Sequence, residues 1–393
     1  MKKNILLLGL MAMTVSVTSC SDSKDGPTEM PEGTADVTIN EIDANYADYA
    51  ENWCSYAAAV SSRLKNDAET LYAAWNEGDD AFKNTFKEAK GAYKSYNHCI
   101  EEIIEGCIDI ANEVGESKIG DPRDKWENGK YTEAVYAVES WYSHHSIEDY
   151  ANNIRSIQNS FNCTYDGKTG SHSIAAYLIA HGQAELSGQV NAAITAAISA
   201  IEGMATPFRS HIGSNTVPVA MDACNNLKTV LKTLKAKVGD FEDDAELQAI
   251  VADYVDVVVM PTYEDLKDLN AKLHEAVVTL ASDPSTENFK AAAKAWMEAR
   301  KPWESSEAFL FGPVDELGLD PNMDSWPLDQ DAIKNVLASG DYSGLDWSGE
   351  YEGEDEDGNM SQHAETIAVA QSIRGFHTLE FLLFKNGKPR TVN

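Results

Sequence analysis

Residues 264–281 read EDLKDLNAKLHEAVVTLA, and within them Leu266, Leu269, Leu273, Val277 and Leu280 recur at intervals of 3, 4, 4 and 3. That rhythm puts all five on one stripe of an α-helix, and no strand face collects them. Outward from this stretch, three- and four-residue spacing continues from Tyr46 onward, with Ala-rich runs where strands would need β-branched alternation. Ile174, Leu178, Val190, Ile194, Ile198 and Ile201 form a second stripe, in a segment expected to run to Met204. An all-α fold follows, and segments of about thirty residues suit bundle helices better than globin-like packing. Breaks are expected at Gly78, at Gly120 to Pro122, at residues 167–170, at Pro207 and at Asp283-Pro284, with Asp283 as N-cap and Pro284 as first helical residue. Pro261 should kink or interrupt its helix.

The chain changes character near residues 239–244. About five helical segments precede that point. After it come two or three helices, a Gly-, Pro- and Trp-rich stretch from Phe311 to Gly358, and a last helix from about Ser361. The expected architecture is two helical-bundle domains packed against each other, residues 46–240 and 241–393. A chain of 393 residues can bury roughly three quarters of its unfolded surface, enough for both cores.

Against 64 Asp plus Glu stand 31 Lys plus Arg, a net charge of −33 with His neutral. Nucleic acid and anionic headgroups are poor partners for such a field, whereas cations suit it. Lys2 and Lys3 precede an apolar run from Ile5 to Val17, too short to span a bilayer and typical of a secretory leader. Val17-Thr18-Ser19-Cys20 then resembles a bacterial lipobox, so residues 1–19 are expected to leave and Cys20 to carry lipid outside the cytoplasm. Loss of the two lysines takes −33 to −35. Residues 20–45, rich in Asp, Ser, Thr, Pro and Gly, read as a flexible tether. Cys54, Cys99, Cys107, Cys163 and Cys224 remain, an odd number with no C-x-x-C spacing, which disfavours a four-cysteine zinc site and leaves buried free thiols as the default.

Three stretches carry candidate chemistry. Trp296, Arg300, Trp303 and Glu307 are spaced 4, 3 and 4 and would share one helix face, although Pro302 should bend or end that helix. Arg and Glu in such apolar company must be paired, as a structural ion pair or as the lining of a site. Asp320, Asn322, Asp324 and Asp331 partly match a calcium loop, but Ser325 replaces its glycine and an Asx-rich turn is the simpler reading. Glu350, Glu352, Glu354 and Asp355, with their acidic neighbours, read as a solvated loop.

The third stretch, IRGFHTLEFLLF, sets His377 and Glu380 three apart among Leu379 and residues 381–384, so both could ligate one metal from one helix face. His98–Glu101 and His145–Glu148 repeat the interval, so spacing alone is weak and a hydrogen-bonded core histidine competes. A zincin needs H-E-x-x-H, and a di-iron bundle needs two E-x-x-H pairs. The sequence contains neither. His274 or His363 could complete a metal set, but no general base is evident.

These residues resemble the imelysin-like family, whose signature G-x-H-x-x-E is matched by Gly375, His377 and Glu380. The string Trp296, Arg300, Trp303, Glu307, Phe309, Phe311, Gly312, Pro313, followed by Trp326-Pro327, is similar to the family's second motif. The segment ESWYSHHSIEDYANNI is similar to a third, placing Glu139, Ser143, Ser146 and Asp149. The resemblance covers most of residues 46–390, with the motif domains in exchanged order, as in a circular permutation. It implies two bundles on a bacterial envelope with a shared site between them, containing Gly375, His377, Glu380, Arg300, Glu307, Trp326, Ser143 and Asp149. The family is linked both to peptidase activity and to iron-regulated uptake. One His and one Glu without a base make a poor hydrolase, so the expectation is binding of iron, another divalent metal or a metal-bearing ligand at His377 and Glu380, in partnership with envelope uptake components. The rival is a zinc-dependent peptidase using the same pair.

Overall fold

The computed structural model describes residues 45–78, 81–355 and 358–392. The expected leader, Cys20 with its expected lipid, and the expected tether up to residue 44 lie outside them. Strand among the described residues is confined to two antiparallel hairpins, Thr164–Tyr165 with Lys168–Thr169 and Phe384–Lys385 with Lys388–Pro389. The all-α expectation holds.

Among the described residues, nine helices carry the architecture: α1 (Ala50–Asn76), α2 (Tyr96–Asn112), α3 (Ser146–Asn162), α4 (Ala184–Glu202), α5 (Thr216–Val238), α6 (Met260–Ser282), α7 (Thr286–Glu304), α8 (Leu319–Asp324) and α9 (Gly375–Leu383). Helices α2, α3, α4 and α5 pack on one another as one group, and α1, α6, α7 and α9 as a second. The expected first domain, residues 46–240, includes α1, but α1 packs with helices that follow residue 241. Its sequence explains the crossing. Trp53, Tyr56, Val60, Leu64, Leu71 and Trp75 form a fully buried stripe, and the polar atoms of Trp53 and Tyr56 are met by the C-terminal region. Trp53 Nε1 donates to the Leu382 carbonyl at 2.9 Å and Tyr56 Oη to that of Ile373 at 2.7 Å.

The stripe of α6 faces inward, with Leu266, Leu273, Val277 and Leu280 buried. The segment expected to run unbroken from Ile174 to Met204 is instead two helices, Ile174–Ala180 and α4, because Gly182 turns the chain at φ +75° between them. The cap expected at Asp283 falls two residues later. The Ser285 side chain accepts from Asn288 N at 3.2 Å, and Asp283 ends α6. Pro261 interrupts its helix as expected: six residues before α6, Tyr254–Val259, widen into a π-helical turn, and the proline sits in the first turn of α6. A second π-helical turn, Glu113–Lys118, follows α2 and takes up the break expected at Gly120 to Pro122. The stretch from Phe311 to Gly358 holds short helices, among them α8 and Gln330–Ser339. Beyond it the single expected C-terminal helix is two, Gln362–Gln371 and α9.

All five cysteines from Cys54 on are free and buried. Burial pushes the Cys54 thiol up to about 11 and those of Cys99, Cys107, Cys163 and Cys224 up to about 12, so they behave as small apolar groups.

Candidate functional site between the helix groups

Helix α9 begins at Gly375, whose φ of +86° and close approach to α8 both demand the absence of a side chain. A Cβ there would lie 2.5 Å from the Met323 carbonyl oxygen. The tight junction sets α9 against α8 so that His377, wholly buried, faces Asp324 at the α8 C-terminus. Its Nε2 lies 3.1 Å from Asp324 Oδ1 and 3.4 Å from Glu139 Oε1, while its Nδ1 lies 3.2 Å from Glu380 Oε2. Burial and the neighbouring Arg300 oppose a charged ring, but Asp324 and Glu139 outweigh them and hold the His377 pKa well above its ordinary value.

Arg300 reaches the same carboxylates from α7. It is fully buried, with Nη2 2.6 Å from Glu139 Oε1 and 2.6 Å from Glu304 Oε1, Nε 3.4 Å from Asp149 Oδ2, and Nη1 paired with Asp324 Oδ1. Its Nη2 is also 3.4 Å from His377 Nε2, so two cationic groups sit side by side, held by the carboxylates they share. Trp303 Nε1 donates to Asp324 Oδ2 at 2.8 Å. The structure corrects one detail of the α7 reading. Pro302 lies within the helix, which ends at Glu304, so the carboxylate one turn beyond Arg300 is Glu304. Glu307 falls in the following 3-10 turn and meets Lys118 instead, 3.6 Å away.

The loop of residues 137–145 supplies the other wall. Ser140 and His144 adopt φ of +51° and +63°, strain that local bonds hold in place. Ser140 Oγ donates to Asp149 Oδ2 at 2.5 Å, and Ser146 Oγ to the Glu139 carbonyl at 2.5 Å. Ser143 donates from both its N and its Oγ to Glu380 Oε1, each at 2.7 Å. Glu380 is thereby oriented on the Nδ1 side of His377, as a carboxylate behind a ligating histidine usually is. Trp326 packs its ring 5.0 Å from the imidazole, edge-on and partly exposed.

The residues expected in the site therefore gather at one place. His377, Glu380, Ser143, Arg300, Asp149 and Trp326 converge directly, Gly375 permits the convergence, and Glu307 lies on its Lys118 flank. Glu139, Glu304, Asp324 and Lys118 complete the cluster and were not among the expected site residues. Glu139 stood in the third motif and Asp324 in the suspected calcium loop. Glu304 and Lys118 carried no signal beyond residue type. Asp320, Asn322 and Asp324 form no calcium loop. They lie on α8, with Asn322 accepting from Trp347 Nε1 at 2.9 Å and Asp324 turned to Arg300. His274 bonds to Ser61 and His363 to the Glu350 carbonyl.

The charges sort into two kinds. Against burial, Lys118, His377 and Arg300 hold Glu139 down to about 2, and Arg300 and His377 hold Asp324 low. Burial pushes the carboxyls of Asp149, Glu304 and Glu307 up toward the neutral form. For a metal the donor chemistry fits: Glu139, Asp324 and His377 offer two oxygens and one nitrogen within 4.8 Å of one another. Among the described residues, Glu139 and Asp324 complete that group with His377, while Glu380 supports the ring from behind. The Arg300 guanidinium contacts the same oxygens, so it would share them with an ion or yield them.

An all-helical protein with a buried His–Arg–carboxylate centre between two helix groups defines the class. The chain matches the family described as Imelysin over residues 32–234 and 259–392, and it belongs to that family. A crystal structure of an imelysin peptidase from Bacteroides ovatus is similar at 46% identity with a TM-score of 0.84, covering 90% of this chain and 99% of that one. Iron-regulated protein A of Synechococcus elongatus is 32% identical over 136 residues, 35% of this chain and 31% of that protein's length.

Proposed function

We propose that the protein is an exported, lipid-anchored envelope protein that binds a metal ion or metal-bearing ligand, iron foremost, at the His377 centre, and serves iron acquisition. His377, Glu139 and Asp324 would hold the metal, with Glu380 and Ser143 fixing the ring. The observation that carries the reading is the convergence of one imidazole nitrogen and two ionised carboxylates in a buried site. The similarity to iron-regulated protein A of Synechococcus elongatus agrees with it. Export rests on the leader read at residues 1–19 and anchoring on Cys20; among the described residues no helix is long and apolar enough to cross a membrane. The exchanged motif order is read as a circular permutation, which leaves such a site intact because packing places its side chains.

The rival peptidase reading draws on the similarity to the imelysin peptidase of Bacteroides ovatus. Against it, Glu380, the carboxylate beside His377, is tied to Nδ1 and to Ser143 rather than poised as a base. Metal content and cleavage of casein or insulin, measured on the form lacking residues 1–20 beside His377→Ala, separate the two. Bound iron or manganese lost in the variant, with no cleavage by either protein, is expected. Metal-dependent cleavage abolished by the substitution would establish the peptidase, and metal retained equally by the variant would sink both.

A further inference from the structure

We propose that Arg374, held by Asp67, is a positioning residue of the His377 centre: the pair fixes the start of α9 while Asp67 is ionised and releases it when Asp67 takes up a proton. What this does to metal rests on the metal-binding reading of that centre, and what it does to α9 does not.

Helix α1 grips α9 and its lead-in at three points. Trp53 Nε1 donates to the Leu382 carbonyl near the far end, Tyr56 Oη donates to that of Ile373, and Asp67 pairs with Arg374 Nη2. The first two bonds join uncharged groups, and burial pushes the Tyr56 hydroxyl further from ionising. The third joins a buried cation to a carboxylate. Arg374 directly precedes Gly375, so it is anchored one step from the left-handed joint that sets α9 against α8 and three residues from His377.

Little else holds Arg374. Its side chain is 6% exposed, Nη1 donates to the Leu345 carbonyl at 3.1 Å, and Nε, also buried, has no hydrogen-bond partner among the described residues. A buried guanidinium in that position depends on the carboxylate beside it. Burial pushes the Asp67 carboxyl up from an ordinary 3.8 to about 6, with Arg374 pulling the other way. The other charged groups facing Asp67 are Asp346, which raises it further, and Arg63, one turn back on α1, which lowers it. Arg63 is itself engaged with Asp346 at 2.6 Å.

The direction of the pH effect depends on the state compared. Against the unfolded chain, the stability that Asp67 contributes is full below pH 3.8 and lost as pH rises through about 6. Against a folded form with Arg374 withdrawn, the balance reverses. Without its strongest attractive partner Asp67 would bind its proton more tightly, so acid favours the open joint over the closed one.

Hydrogen exchange of residues 374–383, followed on the whole chain without added metal and corrected for the intrinsic rate at each pH, tests the joint. Protection there is expected to fall about tenfold between pH 7.5 and pH 5, centred near pH 6, while α5 keeps its own. Asp67→Asn, neutral throughout, should match wild type at pH 5 and lie about tenfold below it at pH 7.5. Affinity for Mn2+ should follow, about tenfold weaker in Asp67→Asn at pH 7.5 and equal at pH 5; the ratio cancels the direct effect of acid on ligands that both proteins share. Equal protection at pH 7.5, or a deficit that persists at pH 5, overturns the inference. Lower protection with equal Mn2+ affinity overturns the link to the centre. A wild type that binds no Mn2+ removes the metal-binding reading, and the exchange result then decides for or against the pair. If Asp67→Asn does not fold, the wild-type exchange series decides, and the absence of a fall near pH 6 counts against the pair.

Discussion

At the scale of single residues, the site is governed by which carboxyls keep their protons. Asp320, one helical turn from Asp324, is pushed up to about 7 from an ordinary 3.8, chiefly by burial and further by Asp324 and Glu113. In the unfolded chain it titrates near that ordinary value, so between the two the folded protein binds more protons than the unfolded one. The stability it contributes is therefore full below pH 3.8 and lost as pH rises through about 7. Asp320→Asn should flatten that fall, raising the urea midpoint at pH 8 relative to wild type while the two nearly coincide at pH 4. Equal pH slopes for the two proteins would contradict the assignment. His377, by contrast, is recognisable from the chain itself, because a histidine two residues from Gly375 in a mainly apolar run must be satisfied by something. Its partners Glu139 and Asp324 stood in the third motif and in the suspected calcium loop, and nothing in the spacing of either pointed it to His377.

At the scale of elements, Gly375 decides where α9 can sit. Both its left-handed backbone and the Met323 carbonyl oppose a side chain, so Gly375→Ala should cost about 1–3 kcal/mol from the backbone alone and more from displaced packing. Because the displacement would move His377 from Asp324, bound metal should fall along with the melting temperature. A variant as stable as wild type would show that the junction can relax. Helix periodicity was legible throughout. The breaks were less so, since Gly182 splits one expected helix while Pro302 sits inside another that runs on to Glu304. Local residue chemistry permits both outcomes at each position, and the packing of neighbouring helices chooses between them.

At the scale of the whole molecule, Arg300 ties the two helix groups together. It carries Glu304 and Asp324 from its own side and Glu139 and Asp149 from the other. Arg300→Met would strand those carboxylates in a buried space, an expected loss of about 3–5 kcal/mol by denaturant unfolding. Arg63→Ala, which breaks a pair with the exposed Asp346, should cost under about 1 kcal/mol. Comparable losses for both would mean that the central cluster is solvated. The sequence by itself determined the all-helical class and the inward stripe of α6, and its resemblance to a family implied the company of Gly375, His377, Glu380 and Arg300. The class and the stripe follow from local period, and the need of Arg300, His377 and Glu380 for partners follows from the penalty for burying charge among apolar neighbours, which adjacent residues already reveal. Only the tertiary structure decided that α1 joins the C-terminal helices, that Glu304 and not Glu307 answers Arg300, and that Lys118 and Glu139 enter the site. Those pairings join residues up to more than two hundred positions apart, and charge complementarity acts through space, where one acidic side chain in the sequence looks like any other until packing brings it to its partner.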